Sequence, residues 1–235
     1  MDHTNNRGLH LKFTDKKMIC FDLDGTLIDS VPDLALAVNE MLADMGRETF
    51  SEDTVRFWVG NGAQMLVKRA LLGKRKADEA VDEALFAKAL EVFLSFYKKR
   101  LCTATHPYPH VLETLRELKE KGYRLTIVTN KPVEFVGPIL QGLEFEDLIE
   151  YYLGGNSLER KKPDPLPLQH LCRETGIGIE ECVMVGDSKN DIQAANTCGM
   201  QSIGVTYGYN YGEDISVYNP NVIVEDFSGI LDLFD

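Results

Sequence analysis

No apolar run in this 235-residue chain approaches the roughly 20 residues that a membrane span requires. The opening stretch MDHTNNRGLHLKFTDKK lacks the apolar centre of a secretory signal, so residues 1–16 read as a polar lead-in. Cysteine is sparse and unpatterned. Cys20, Cys102, Cys172, Cys182 and Cys198 show no CxxC spacing and are odd in number. With no His/Cys cluster either, neither a disulfide framework nor a zinc site is expected, and the simplest reading is a reduced, cytoplasmic protein. Positive charge is also short: 25 Lys and Arg stand against 37 Asp and Glu, a net charge of −12. That balance argues against a nucleic-acid partner, which selects for a basic stripe. An anionic small molecule stays open, because a bound cation and one lysine reverse the potential inside a single cleft. Internal repeats and low-complexity tracts are missing as well.

What the sequence does contain is a series of short apolar runs ending in polar or glycine-bearing turns. They are MICFDLDGT (18–26), YRLTIVTN (123–130), ECVMVGDS (181–188), MQSIGVTYG (200–208) and NVIVEDF (221–227). Runs of this length suit strands buried on both faces of a parallel sheet. Amphipathic segments at 110–122, 165–176 and 190–199 lie between them, each ending in glycine, the usual helix stop. Strand and helix in alternation predict a doubly wound, Rossmann-like α/β core over residues 17–30 and 106–235. Residues 31–105 break that rhythm. VPDLALAVNEMLADMG, EDTVRFWVGNGAQMLVKRALLG and ADEAVDEALFAKALEVFLSFYKKRL read as three helical stretches with no strand between them. An all-helical cap inserted after the first strand is expected over the carboxyl ends of the sheet, where open α/β sheets bind ligands.

The run endings carry the chemistry. The first delivers Asp22 and Asp24, which share a face if the chain stays extended. The second ends in Thr129-Asn130, the third in Gly186-Asp187-Ser188 with Asp191 four residues on, and Lys161-Lys162-Pro163-Asp164-Pro165 marks a loop-to-helix junction. In a parallel sheet all of these meet at one edge. Phosphoryl transfer needs a nucleophile, neutralisation of the phosphoryl oxygens and a proton for the leaving group. Carboxylates with water suit Mg²⁺, a hard cation. Asp22, Asp187 and a neighbour can hold it, Thr129 and Asn130 offer neutral donors, Lys162 offers a point charge, and Asp24 is the natural proton donor.

DLDGT, the apolar run ending in TN, the KPDP lysine and GDSKND, in that order, resemble the four motifs of the haloacid-dehalogenase superfamily. The resemblance covers about Lys17 to the C-terminus. It implies a phospho-aspartyl intermediate on Asp22, with Asp24 as general acid and then base. It implies Mg²⁺ held by the Asp22 side chain, the Asp24 carbonyl and Asp187, with Asp191 supporting the site from its edge. Thr129 and Lys162 would bind the transferring phosphoryl group. The opening ICFDLDGTLIDSVPDL and the cap stretch RFWVGNGAQMLVKRAL (56–71) resemble the bacterial phosphoglycolate phosphatase subfamily. That implies a small phosphorylated metabolite as partner, Arg56 on the substrate carboxylate, and Gly60 and Gly62 presenting backbone amides, beside Asn130. A broader sugar-phosphate or nucleotide phosphatase, a hexose-phosphate mutase and, from another class, a phosphoacceptor receiver module stand as alternatives. Either a monomer or a homodimer is compatible with the sequence. Trp58 reads as packing within the cap, His106 and His110 as flanking a stiff Pro-Tyr-Pro hinge, and the tyrosine-rich 206–214 as a surface or interface loop.

Overall fold

β1 (Met18–Phe21) consists of four apolar residues, every one of them buried. It pairs in parallel with β4 (Arg124–Val128) on one side and β6 (Cys182–Gly186) on the other. Adding β5 (Tyr151–Leu153), β7 (Gln201–Val205) and β8 (Val222–Val224) gives a six-stranded, all-parallel sheet in the order β5-β4-β1-β6-β7-β8. This computed structural model describes residues 12–235. Alternate side chains feed two cores, as the two-residue period of a strand dictates. Ile19, Phe21, Ile127, Val183 and Val185 join a large cluster that includes α5 (Val111–Glu120) and α6 (Val133–Gly142). Met18, Cys20, Val128 and Met184 join a smaller one against α7 (Leu166–Thr175) and α8 (Lys189–Cys198). The chain leaves β1 first for β4 and later for β6, so the sheet reverses its winding at β1. The carboxyl ends of these three central strands therefore border one crevice.

The five apolar runs all contain strands of the sheet. β5 and α6 have no counterpart in the sequence reading. β5 is a three-residue edge strand, too short to show alternation. α6 contains Gly137 and Pro138, which read locally as breakers and are overridden by burial of Phe135, Val136 and Ile139.

Four helices, α1 (Val31–Asp44), α2 (Glu52–Arg56), α3 (Ala63–Leu72) and α4 (Glu83–Arg100), occupy the stretch between β1 and β4 that the sequence assigns to a cap. The segment 52–73 is two helices and not one continuous stretch. Its break holds Gly60 and Gly62 at φ +112° and +82°, a region that disfavours side chains. A Cβ at Gly62 would also lie 2.8 Å from the Asn130 carbonyl oxygen. Chain entry and exit run side by side: β2 (Ile28–Asp29) pairs antiparallel with β3 (His106–Pro107). His106 and His110 are both exposed.

Asp33, fully buried at the start of α1, clamps this crossing. Its carboxylate accepts the Thr103, Ala104 and Thr105 amides at 2.9–3.1 Å and the Thr105 hydroxyl at 2.6 Å. Asp33→Asn places an amide donor against donors, and we expect a loss of about 2 kcal/mol in stability, read by urea denaturation. A midpoint equal to that of the parent would show that the clamp is dispensable.

The polar lead-in assigned to residues 1–16 falls largely outside the described residues. Where it is described, Phe13 departs from it. Phe13 is buried, stacks on Phe234 with centroids 5.5 Å apart, and donates its amide to the Leu233 carbonyl at 2.8 Å. Its flanking Lys12, Thr14 and Asp15 masked one apolar anchor within a polar stretch.

Candidate active site

β1 ends at Phe21, and the chain turns at once. The Leu23 carbonyl accepts the Leu27 and Ile28 amides, and Gly25 adopts φ +87°. The Asp22 and Asp24 carboxylates therefore do not share one lysine. Each has its own lysine. Lys162 Nζ lies 3.1 Å from Asp22 Oδ1, which also accepts the Leu23 amide at 2.7 Å. Lys131 Nζ donates to both Asp24 oxygens, at 2.8 and 3.0 Å, and the Ser30 hydroxyl adds a third bond at 2.6 Å.

Lys162 is the more deeply placed. It is 1% exposed and also meets Asp191 Oδ1 at 2.6 Å and the Val128 carbonyl. Asp191 is fixed from its other oxygen by the Ser188 amide and hydroxyl, at 3.0 and 2.8 Å. Asp187 accepts the Thr26 hydroxyl at 2.8 Å and the Tyr209 amide at 2.6 Å. Two glycines make room for it: a Cβ on Gly25 or Gly208 would lie 2.4 or 2.2 Å from an Asp187 atom. That is a steric reason for glycine directly after Asp24.

Asp22, Asp187 and Asp191 are all buried, and one oxygen from each lies within 4.8 Å of the others. Asp24 stands outside this cluster by its side chain. Burial, opposed by Lys162 and reinforced by Asp191 and Asp24, pushes the Asp22 carboxyl up to about 7. Burial and the charges of Asp191 and Asp22 hold Asp187 well above the ordinary carboxylate range. Three hard oxygen donors, two of them paired with one lysine, form a donor set that fits a small divalent cation, whose charge would reverse those upward shifts.

Thr129 and Asn130 follow β4 into the same edge and are buried. The Asn130 amide nitrogen donates to the Lys162 carbonyl at 3.0 Å and to the Gly60 carbonyl at 3.3 Å, tying the helical segment to the core. Its Oδ1 and the Tyr97 hydroxyl are buried without any hydrogen-bond partner. A cavity of about 30 Å³ sits over Asp22 and Asp24. Thr129, Asn130 and Lys131 line it from the core, and Gly60, Gly62, Leu66, Phe93 and Tyr97 from the helices.

Of the sequence-assigned residues, Arg56 alone stands away from both the cavity and the acidic cluster. Its guanidinium pairs with Asp29 at 2.9 Å and Glu52 at 3.0 Å, and lies over the Tyr209 ring. Two of its five N–H donors are spent on protein carboxylates, and the side chain does not line the cavity. The 206–214 stretch, read as a surface or interface loop, exposes Thr206, Gly212 and Asp214 but turns two tyrosines inward. Tyr209 and Tyr211 are buried, and their hydroxyls bond Asp29 at 2.5 Å and Asn61 at 2.7 Å. Trp58 packs as expected, edge-on to Phe50.

Sequence reasoning missed Lys131 and Tyr97. Lys131 directly follows the Thr-Asn pair and was open to notice. Tyr97 comes from a helix 73 positions beyond Asp24, and nothing local marks it.

The haloacid dehalogenase-like hydrolase family model matches residues 19–205. The chain belongs to the haloacid dehalogenase-like hydrolases. This hydrolase is 48% identical over 221 residues to a phosphoglycolate phosphatase of Colwellia psychrerythraea, covering 94% of this chain and 98% of that one. It is 44% identical to one from Pseudomonas putida, covering 92% and 78%. The crystal structure of a predicted phosphoglycolate phosphatase from Haemophilus somnus superposes with a TM-score of 0.88 at 42% identity, covering 94% of this hydrolase and 98% of that chain. Among its described residues, no helix is long and apolar enough to cross a membrane.

Proposed function

We propose that this hydrolase is a Mg²⁺-dependent phosphomonoesterase that converts 2-phosphoglycolate to glycolate and phosphate through a phospho-aspartyl intermediate. The observation that carries the reading is the pairing of Asp22 with Lys162 beside Asp187 and Asp191, with Asp22 in the wall of a small cavity. Relatives named for that activity, matched over nearly their full length, support the substrate.

The geometry suggests how the residues divide the work. Asp22 Oδ1 is held by Lys162 and the Leu23 amide, so Oδ2 is the oxygen aimed to attack phosphorus. As that bond forms, the ester oxygen departs with the bonding pair, and Asp24 in its acid form gives it a proton. Asp24 then takes a proton from water, whose oxygen attacks the phosphorus and breaks its bond to Asp22, restoring the carboxylate. Thr129 lines the cavity beside the phosphoryl oxygens, and Lys162, behind Asp22, lends them its positive charge. Asp22, the Asp24 carbonyl and Asp187 would hold Mg²⁺, with Asp191 behind them; when bound, the cation neutralises charge on the transferring group. Residues 31–105 act as a cap in this reading. They close the cavity, and water around an acyl phosphate has to be controlled.

The test is phosphate release from 2-phosphoglycolate, hexose phosphates and nucleoside monophosphates, with Mg²⁺ and with chelator. We expect turnover only with Mg²⁺ and a preference for phosphoglycolate of at least about 100-fold in kcat/KM. Equal Mg²⁺-dependent rates across the panel would keep the chemistry and reject the substrate. Full activity in chelator would reject the cation.

A further inference from the structure

The phosphoglycolate reading leaves its substrate's second charge unassigned, because Arg56 pairs with Asp29 and Glu52 and does not line the cavity. The cavity itself offers a replacement. Tyr97, from α4, is 2% exposed, and its buried hydroxyl makes no close hydrogen bond, with Lys131 as its polar neighbour. A phenylalanine would pack there equally well. The ring is clamped by Phe93, stacked at 5.8 Å, and by Phe135, edge-on at 5.1 Å. A buried hydroxyl without a partner is costly, and one in the wall of an active-site cavity calls for a ligand atom.

Beside it lies the cavity's one cationic group among the described residues. Lys131 Nζ stands 4.9 Å from the Tyr97 ring centroid and uses its bonds on Asp24. An ammonium has three donors, and Asp24 takes two. No other lysine or arginine among the described residues lines the cavity. The Asn130 Oδ1 is an acceptor and has no part in holding an anion. Apart from Thr129 and the Asn130 amide, already bonded to two carbonyls, the side-chain donors around the space above Asp24 are thus the Tyr97 hydroxyl and the Lys131 ammonium. The remaining wall, Leu34, Val59, Leu66, Phe93 and Phe135, is apolar. An apolar wall strengthens whatever ion pair it encloses and offers nothing to a leaving group rich in hydroxyls.

We propose that Tyr97 and Lys131 form the receptor for the substrate's carboxylate, and that the Tyr97 hydroxyl is a specificity-determining contact of this enzyme. The proposal rests on the phosphoglycolate reading above. It also explains how a residue of the helical segment senses the substrate: α4 reaches the anion only when the cavity is assembled over Asp24.

The experiment compares kcat/KM for 2-phosphoglycolate and for ethyl phosphate, which has the same backbone and no carboxylate, in the parent and in Tyr97→Phe. The expected result is a ratio of the two substrates that falls about 10- to 100-fold in the variant, chiefly through KM for phosphoglycolate. Thermal melting without substrate adds a readout that a packing role would move the other way. Loss of an unpartnered buried hydroxyl should leave Tm equal or higher. A parent that strongly prefers phosphoglycolate and a variant that keeps the whole preference would overturn the receptor and leave the proposed function standing. A parent with no preference would reject the substrate assignment and the receptor together.

Discussion

Asp22→Asn is expected to lower kcat for 2-phosphoglycolate by at least about 10⁴-fold while the protein stays folded. An amide oxygen is no nucleophile toward phosphorus at neutral pH, and no other carboxylate reaches the same place, since Asp24 is turned toward Lys131 and Ser30. The fold survives because Lys162 keeps Asp191 and the Val128 carbonyl as partners. Stability should even rise in chelator. The Asp22 carboxyl, about 3.8 when unfolded, is lifted to about 7 mainly by burial. The folded state therefore holds a proton that the unfolded state has released. A raised acid contributes stability that is fully present below about pH 3.8 and lost as pH climbs toward about 7. Asn carries no such proton. The Tm difference, variant minus parent, should accordingly grow from pH 4 to pH 7 without metal and shrink when Mg²⁺ is added. Melting curves that run parallel across that range would show that Asp22 is not under this strain. Residual turnover within tenfold of the parent would remove it as the nucleophile.

The core of this site was legible from sequence because its residues sit at strand ends. Asp22, Thr129 and Asp187 each close an apolar run, and one topological rule brings such ends together. Lys162 was legible through its Pro-Asp-Pro setting. What escaped were relations that depend on the third dimension. Residues i and i+2 point together only while the strand continues, and the turn at Gly25 separates Asp22 from Asp24 onto different lysines. Arg56 read as a free guanidinium because Asp29, 27 positions away, was invisible as its partner. The tyrosines of 206–214 read only as a surface or interface loop because their buried partners, Asp29 and Asn61, come from distant segments. Tyr97 belongs to an amphipathic helix whose periodicity says only that the ring is inward. Nothing in the period says that its hydroxyl ends in the cavity.

Lys162→Met should be the most damaging single change to both stability and turnover. The side chain is nearly the same length, so packing is preserved and the charge is isolated as the cause. In the parent, one buried ammonium stands between Asp22 and Asp191, with Asp187 adjoining. Without it, three buried carboxylates face one another, and breaking a buried pair from one side costs about 3–5 kcal/mol. The cost should increase with pH, because the acids hold their protons in acidic solution and must repel as they lose them. Mg²⁺ should recover part of the lost stability by supplying the missing positive charge. It should not recover turnover, which we expect to fall at least about 10³-fold, because the positive charge lent to the phosphoryl oxygens is gone. Lys162→Arg should fail as well, since a planar fork has no room where the parent side chain is 1% exposed. Urea denaturation at pH 5 and pH 8, with and without Mg²⁺, separates these effects. A midpoint indifferent to both pH and Mg²⁺ would mean that Lys162 does not hold the acidic cluster together. Turnover restored by Mg²⁺ alone would make its part structural, leaving the phosphoryl oxygens to Thr129 and the cation.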